Sequence, residues 1–197
     1  MDMLLALWLP ILVCAIVLFF ASFLAWTVLP HHKPDWKKLT DEDRFFAFIK
    51  EQNIAPGEYL FPMYEPKNSK DPAMIERYNA GPWGILNLWP SKPSMGKNMA
   101  LTVLTFLVVS FFIAYIAAAA LPRGASFTEV FQIVAVAAIL AYTAGSVCRE
   151  IWFTRPLRAK LMDFIDGVAY GIITGVIFGL LWPAAASMAE QLPAVGG

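Results

Sequence analysis

The chain has 197 residues, of which 58% are hydrophobic and 15% are charged, and its acidic and basic residues balance to no formal net charge. This apolar fraction lies above the range of soluble domains, and the absence of a basic excess argues against nucleic-acid binding. The two cysteines, Cys14 and Cys148, are widely separated in the sequence, so they predict neither a disulfide framework nor a cysteine metal site.

Four apolar stretches are long enough to cross a hydrocarbon core about 30 Å thick, which needs roughly 20 helical residues. They predict transmembrane helices at residues 4–29, 99–121, 127–147 and 164–186. The first follows "MDM" without Lys or Arg and ends without a small-residue cleavage motif, so we expect a retained helix and not a signal peptide.

These stretches predict an all-α integral membrane protein with four transmembrane helices and a small α+β cytoplasmic cap between helices 1 and 2. The expected parts are a first transmembrane helix (1–30), a loop or cap domain (31–98), a three-helix transmembrane bundle (99–187) and a flexible C-terminal tail (188–197). The predicted transmembrane helices are expected to contact a lipid bilayer.

The basic residues are unevenly distributed along the chain. Ten Lys and Arg residues lie between the first two apolar stretches, whereas the turn "PRGAS" contains Arg123 alone. By the positive-inside rule, residues 31–98 face the cytoplasm and both termini face the periplasm. The architecture is similar in style to small multi-pass proteins of bacterial inner membranes, so we expect that location.

The only two histidines, His31 and His32, follow the first apolar stretch and precede Asp35. In an extended segment, neighbouring side chains point in opposite directions, which disfavours two ligands for one metal ion. One histidine with Asp35 remains a candidate for metal or proton handling. The alternative is contact with lipid headgroups and capping of the first helix by a cationic histidine.

The segment that follows predicts short elements. Thr40 as N-cap, with Asp43 in a capping box, predicts an amphipathic helix whose Phe face packs on its own domain or lies in the headgroup layer. "PGEYLFPMY" and "GILNLWP" predict two short strands. Between them, Asp71 as N-cap and Gly81 after the last turn predict a second short helix.

A group of charged residues lies around the predicted junction of helices 3 and 4. It predicts an interfacial charge cluster in which Arg149 or Arg158 neutralises Asp166 at the start of helix 4. The alternative is an entry point for ions or protons. The cluster comprises Arg149, Glu150, Arg155, Arg158, Asp163 and Asp166.

The sequence "GVAYGIITGVIFG" places a glycine at every fourth position of helix 4. Such a small-residue face allows another helix to approach closely. We expect it to pack on helix 3 through Ala137, Ala141 and Gly145, with self-association through helix 4 as the alternative. The four glycines are Gly167, Gly171, Gly175 and Gly179.

No nucleophile elbow, zinc spacing or dinucleotide-binding loop is present in the sequence. We therefore expect no cofactor and a non-catalytic accessory, scaffold or assembly subunit, whose partners are other membrane protein subunits. The alternatives are a small oligomeric transporter or channel, or a membrane enzyme or cofactor binder that uses His31, His32 and Asp35.

Overall fold

A computed structural model describes residues 2–63, 67, 70–153 and 155–185. The chain divides into two compact units, one formed by the residues up to Trp36 and from Met95 onward, the other by Lys37–Ser94. Residues 31–36 therefore belong with the helical unit. The predicted tail at 188–197 and the predicted end of helix 4 at 186 lie outside the described residues.

The secondary structure is mostly helical, with one small sheet. In chain order, the helices are α1 (Asp2–Ala6), α2 (Trp8–Phe23), α3 (Glu42–Glu51), α4 (Pro72–Ala80), α5 (Met95–Ala120), α6 (Phe127–Trp152) and α7 (Leu157–Leu180), and the strands are β1 (Gly57–Phe61) and β2 (Gly84–Leu88). A π-helical turn, Leu24–Val28, continues α2, and a 3-10 helix, Pro30–Asp35, follows it.

Four helices are long and apolar enough to cross a membrane, as the sequence predicts: Trp8–Val28, α5, α6 and α7. Their ends differ from the predicted ones. α7 begins at Leu157, directly after Pro156 at the N-cap, and so includes a charged first part that the hydropathy pattern assigns to the preceding loop. Charged side chains at the end of a membrane helix can extend to the interface, so they do not end the helix.

The core of the helical unit is formed by all four of these helices. Leu7 and Ile11 pack with Ile113 of α5, Val134 of α6 and Phe178 of α7. In the part of the chain that the structure describes, few polar residues are buried, and these are His32, Ser110, Thr143 and Thr174. The interior of the bundle is therefore an apolar contact surface between helices.

The glycine face of α7 packs directly against α6. A Cβ atom placed on Gly171 would lie 2.8 Å from the backbone nitrogen of Ile139, and one on Gly175 would lie 2.9 Å from Cβ of Ala135. Gly167 and Gly179 meet Thr143 and Phe127 in the same way. Gly167 and Gly171 thus allow an approach to the backbone of α6 that a side chain would prevent, whereas Gly175 and Gly179 make room for side chains of α6.

The prediction that α7 packs on Ala137, Ala141 and Gly145 of α6 was wrong, because a different face of α6 contacts the glycines. The glycines face positions 127, 131, 135, 139 and 143, whereas a Cβ on Gly145 would meet nothing within 4 Å and Ala141 is exposed. Ala137 is partly buried but is not among the nearest contacts of any of the four glycines. An offset of two residues turns a helix by about 200°. Ala137, Ala141 and Gly145 therefore lie on nearly the opposite side of α6.

The Gly171→Ala substitution should lower the free energy of unfolding by about 1–3 kcal/mol, because the added methyl group meets the backbone of Ile139. The matched control is Gly145→Ala, which should be neutral or stabilise the helix by up to about 1 kcal/mol. Reversible unfolding in detergent measures both. Equal effects of the two substitutions would contradict close packing at Gly171.

The unit Lys37–Ser94 contains the two predicted strands and both predicted short helices. β1 and β2 pair antiparallel, with Gly57 opposite Leu88 and Phe61 opposite Gly84. Asp71 caps α4 by accepting a hydrogen bond from the backbone N–H of Ala73, and Gly81 follows α4 with φ of 69°. The predicted limits of α4 are therefore confirmed.

The predicted start of α3 was wrong by one residue. Asp41 and not Thr40 is the N-cap, and its Oδ1 accepts a hydrogen bond from the backbone N–H of Arg44 at 2.9 Å. Asp43 lies in the first turn and does not complete a capping box with Thr40. Thr40 and Asp41 are both good capping residues, and the sequence pattern alone does not distinguish two neighbouring candidates.

The Asp41→Ala substitution should destabilise α3 by about 1 kcal/mol, because the N–H of Arg44 loses its acceptor. Thr40→Ala, one residue earlier, is the control and should have little effect. Amide hydrogen exchange of α3 in the intact protein distinguishes the two. Faster amide exchange in Thr40→Ala than in Asp41→Ala would instead identify Thr40 as the N-cap of α3, as the sequence predicts.

Candidate functional site

The two histidines lie in the 3-10 helix that follows the first membrane-length helix. This helix has about 3.0 residues per turn, so adjacent side chains are separated by roughly 120° and residues three apart are aligned. His31 and His32 therefore project to neighbouring directions, and His32 lies above Asp35. The expectation of opposite directions was wrong, because it assumed an extended backbone.

Both imidazoles reach the same carboxylate, that of Asp166 in α7. Nε2 of His31 lies 3.0 Å from Oδ1, and Nε2 of His32 lies 3.0 Å from Oδ2. Asp166 is the tenth residue of α7 and not its first, because the helix already begins at Leu157. Two groups that the sequence presents as separate, the histidine pair and the charge cluster, thus form one centre.

Arg158 and Asp35 form the second layer of this centre. Nδ1 of His32 donates a hydrogen bond to Oδ2 of Asp35 at 2.7 Å, and Nη1 of Arg158 donates to Oδ1 of Asp35 at 2.6 Å. Nη2 of Arg158 also donates to the carbonyl oxygen of His31. Of the two arginines predicted to neutralise Asp166, the choice of Arg158 was therefore wrong, because its guanidinium binds Asp35 and the backbone of the 3-10 helix; the choice of Arg149 stays a prediction.

Three other members of the predicted cluster, Glu150, Arg155 and Asp163, form a neighbouring group. Nη1 of Arg155 binds carboxylate oxygens of both Glu150 and Asp163. Asp163 also lies 4.0 Å from Nδ1 of His32, so its charge acts on the histidine at longer range. This group joins the end of α6 to the first turns of α7.

The centre is largely shielded from solvent. The side chains of His32 and Asp35 are 2% and 3% exposed, whereas those of His31 and Asp166 are 22% and 13% exposed. Access from solvent is therefore on the His31 side.

Burial lowers the pKa of His32, but hydrogen bonds to Asp35 and Asp166 and the negative charges of Asp166 and Asp163 outweigh it, so the pKa lies above 6.5. The hydrogen bond from His32 is the main cause that lowers the pKa of Asp35, against a smaller opposing effect of burial, and the charges of His32, Arg158 and Arg155 add to the lowering. The centre therefore favours an anionic Asp35 beside a positively charged partner.

Two aromatic residues that sequence reasoning did not connect with this site contact it. The indole of Trp26 stacks on the imidazole of His32, with ring centroids 3.9 Å apart and planes 3° from parallel. Tyr170 is four residues after Asp166 on the same face of α7, and its hydroxyl lies 3.4 Å from Oδ2. The spacing of four residues between Asp166 and Tyr170 could have predicted this contact from the sequence. The position of Trp26 could not be predicted in this way, because Trp26 lies in the π-helical turn.

Comparisons of the chain with protein-family models, with curated proteins and with solved structures found no match. The groups present at the site are imidazole nitrogens, carboxylate oxygens, a guanidinium and two aromatic rings. Such groups can hold a proton or a metal ion, or can join two parts of the chain by charged hydrogen bonds.

The Arg158→Ala substitution should lower the thermal midpoint by a few degrees, because the shielded carboxylate of Asp35 and the carbonyl of His31 both lose a charged donor. Arg123→Ala is the matched control, since the exposed Arg123 makes one long contact to the backbone of Asp2. Thermal unfolding in detergent measures both. A loss in Arg123→Ala as large as in Arg158→Ala would contradict a specific role of Arg158.

Proposed function

We propose that the chain is a non-catalytic multi-pass membrane protein that serves as an accessory, scaffold or assembly subunit of a larger membrane complex. The observation that carries this proposal is the surface of the unit Lys37–Ser94. Among the residues described there, Pro62 alone is buried. A unit with strands and helices but almost no buried side chain depends on a further surface to cover its apolar residues.

The exposed apolar residues of this unit come from each of its elements. They include Phe46 and Phe48 of α3, Leu60 of β1, Ile75 of α4 and Ile85 of β2. Trp83 and Trp89, which flank β2, are 62% and 63% exposed. Phe, Trp, Tyr and Met are the residues that protein interfaces favour, so this composition suits a protein-binding surface.

The charge of the unit favours a protein over a lipid surface as its partner. Residues 37–94 contain eight Lys or Arg and eight Asp or Glu residues, so the segment has no net charge. Segments that bind anionic lipid headgroups carry clusters of basic residues, each of which adds to the attraction. Because the unit has equal numbers of basic and acidic residues, it lacks that attraction to lipid. We therefore expect its partner to be a protein with an apolar surface and complementary charges.

The helical unit suits the role of an anchor. The Asp, Glu, Lys and Arg residues of α5 and α6 lie in the first or last turn, and those of α7 lie among its first ten residues. The rest of each helix offers no charged group for an ion or proton to follow. This favours a contact role over the transporter alternative.

The orientation belongs to the same proposal. Ten basic residues lie at 31–98 and four more lie at 149–160, whereas the turn between α5 and α6 contains only Arg123. The positive-inside rule places residues 31–98 in the cytoplasm and both termini in the periplasm of a bacterial inner membrane. The partner surface is then cytoplasmic.

Photo-crosslinking in native membranes tests this proposal. A photoreactive amino acid in place of Trp83 should join the chain to one defined protein, because Trp83 is exposed on the proposed surface. The control replaces Lys38, whose charged side chain is 80% exposed and pairs with Glu42. Trp83→Ser should release the same companion during purification in mild detergent.

Three results would overturn the proposal. Adducts that contain only lipid would identify a membrane-surface contact, and adducts that contain only a second copy of this chain would identify a homo-oligomer. Equal crosslinking from positions 38 and 83 would show that the apolar surface does not select its partner.

A further inference from the structure

We propose that His31, His32 and Asp166 bind one divalent transition-metal ion, with Asp35 as the outer partner of His32. The site lies entirely within the helical unit, where it joins the 3-10 helix to α7. The proposal is independent of the partner-binding surface at Lys37–Ser94, and each can fail without the other.

The ligand atoms already lie close together. One atom from each of His31, His32 and Asp166 falls within a set whose members are all within 4.8 Å of one another. Each Nε2 atom is 3.0 Å from a carboxylate oxygen. Ligands about 2.1 Å from a tetrahedral zinc ion are separated by roughly 3.4 Å, so small side-chain movements suffice to admit the ion.

The hydrogen-bond pattern of His32 leaves a place for one proton or one metal ion beside its Nε2 atom. Asp35 accepts from Nδ1 of His32, so Nδ1 carries a hydrogen. In neutral imidazole, Nε2 is then an acceptor, yet it faces another acceptor, Oδ2 of Asp166, at 3.0 Å. Either a proton or a metal ion must lie between these two atoms. With a proton on Nε2 of His32, both imidazoles can donate to the carboxylate of Asp166, whereas a metal ion would bind Nε2 of both histidines and the carboxylate at once.

The second layer is the one that metal-binding histidines commonly have. A carboxylate that accepts from Nδ1 fixes the tautomer, orients the ring and leaves Nε2 free to bind the metal. Asp35 has this role for His32 and is itself held by Arg158. The stacked indole of Trp26 fixes the plane of the same ring. The ligand His32 is therefore held by Asp35 at Nδ1 and by Trp26 on one ring face before any ion binds.

The composition of the site selects a class of metal. Two imidazole nitrogens and one carboxylate oxygen suit Zn²⁺ and other first-row transition ions better than Mg²⁺ or Ca²⁺, which prefer oxygen ligands. Three protein ligands leave at least one coordination position for water or a further ligand. Partial exposure of His31 and Asp166 gives the ion access from solvent.

The test is metal binding by the full chain, purified in detergent without a polyhistidine tag. Cys148 is exposed, so all variants carry Cys148→Ser to remove its thiol as an alternative ligand. After metal removal, Zn²⁺ should bind at one ion per chain, Co²⁺ should give the visible absorption of a low-symmetry site, and Zn²⁺ should raise the thermal midpoint. His31 and His32 are the only histidines in the sequence, so imidazole ligation identifies this site.

His31→Ala and Asp166→Asn should each weaken binding by about 100-fold or more, and Asp35→Asn by about 10- to 100-fold, because it removes the outer partner alone. Glu129→Gln is the matched control: it removes one carboxylate from a helix but retains the capping pattern of α6, so binding should be unchanged. If His31→Ala does not fold, Asp35→Asn decides, since both inner histidines and Asp166 remain.

The proposal is overturned if folded protein shows no saturable uptake of Zn²⁺ or Co²⁺, which would leave the centre with a proton only. It is also overturned if uptake persists unchanged in His31→Ala, Asp166→Asn and Asp35→Asn. Neither result depends on whether a partner protein binds the other unit.

Discussion

The close approach of α6 and α7 is the constraint on which the rest of the helical unit depends. Within a bilayer, apolar side chains gain little by leaving lipid for protein, so helices associate through dispersion contacts at short backbone distances. Gly167 and Gly171 make that approach possible against Tyr142, Thr143 and Ile139. Asp166 directly precedes Gly167, about 100° around the same helix. Once the glycine face lies on α6, the direction of the Asp166 carboxylate toward the histidines is fixed as well.

The two units satisfy their apolar residues in different ways. The helical unit packs side chains from four helices into a common core and has a surface suited to lipid. The other unit has regular strands and helices, stabilised by local caps and by pairing of β1 with β2, but Pro62 alone among its described residues is buried. Local hydrogen bonds are sufficient to define its elements, whereas burial of its aromatic residues requires a surface from outside the unit.

Much of the fold could be predicted from the sequence, because the signals were local. Hydropathy predicted four long helices, alternation predicted β1 and β2, and the Asp71 cap with Gly81 predicted the limits of α4. The register between α6 and α7 could not be predicted in this way. Both faces of α6 contain small residues, and only the packed structure shows that Ala135 and Thr143 meet the glycines, while Ala141 and Gly145 do not.

The site shows the same division between local and long-range information. The sequence singled out His31, His32, Asp35 and Asp166, but it separated the first three from the fourth. Their contact joins residues 134 and 135 positions apart in the chain, and it depends on a 3-10 backbone that residue types alone did not indicate.

The π-helical turn Leu24–Val28 makes the site sensitive to chain length. The N–H of Leu29 bonds to the carbonyl of Leu24, five residues earlier, so this turn contains one residue more than a regular α-helical turn. Removal of one residue there would rotate everything that follows by about 100° relative to α2. Trp26 would lose its stacking on His32, and both imidazoles would turn from Asp166. An insertion or deletion in this turn would leave α2 packed in the core but would move the histidines of the 3-10 helix away from Asp166 of α7, so the site depends on the length of this turn as well as on its residues.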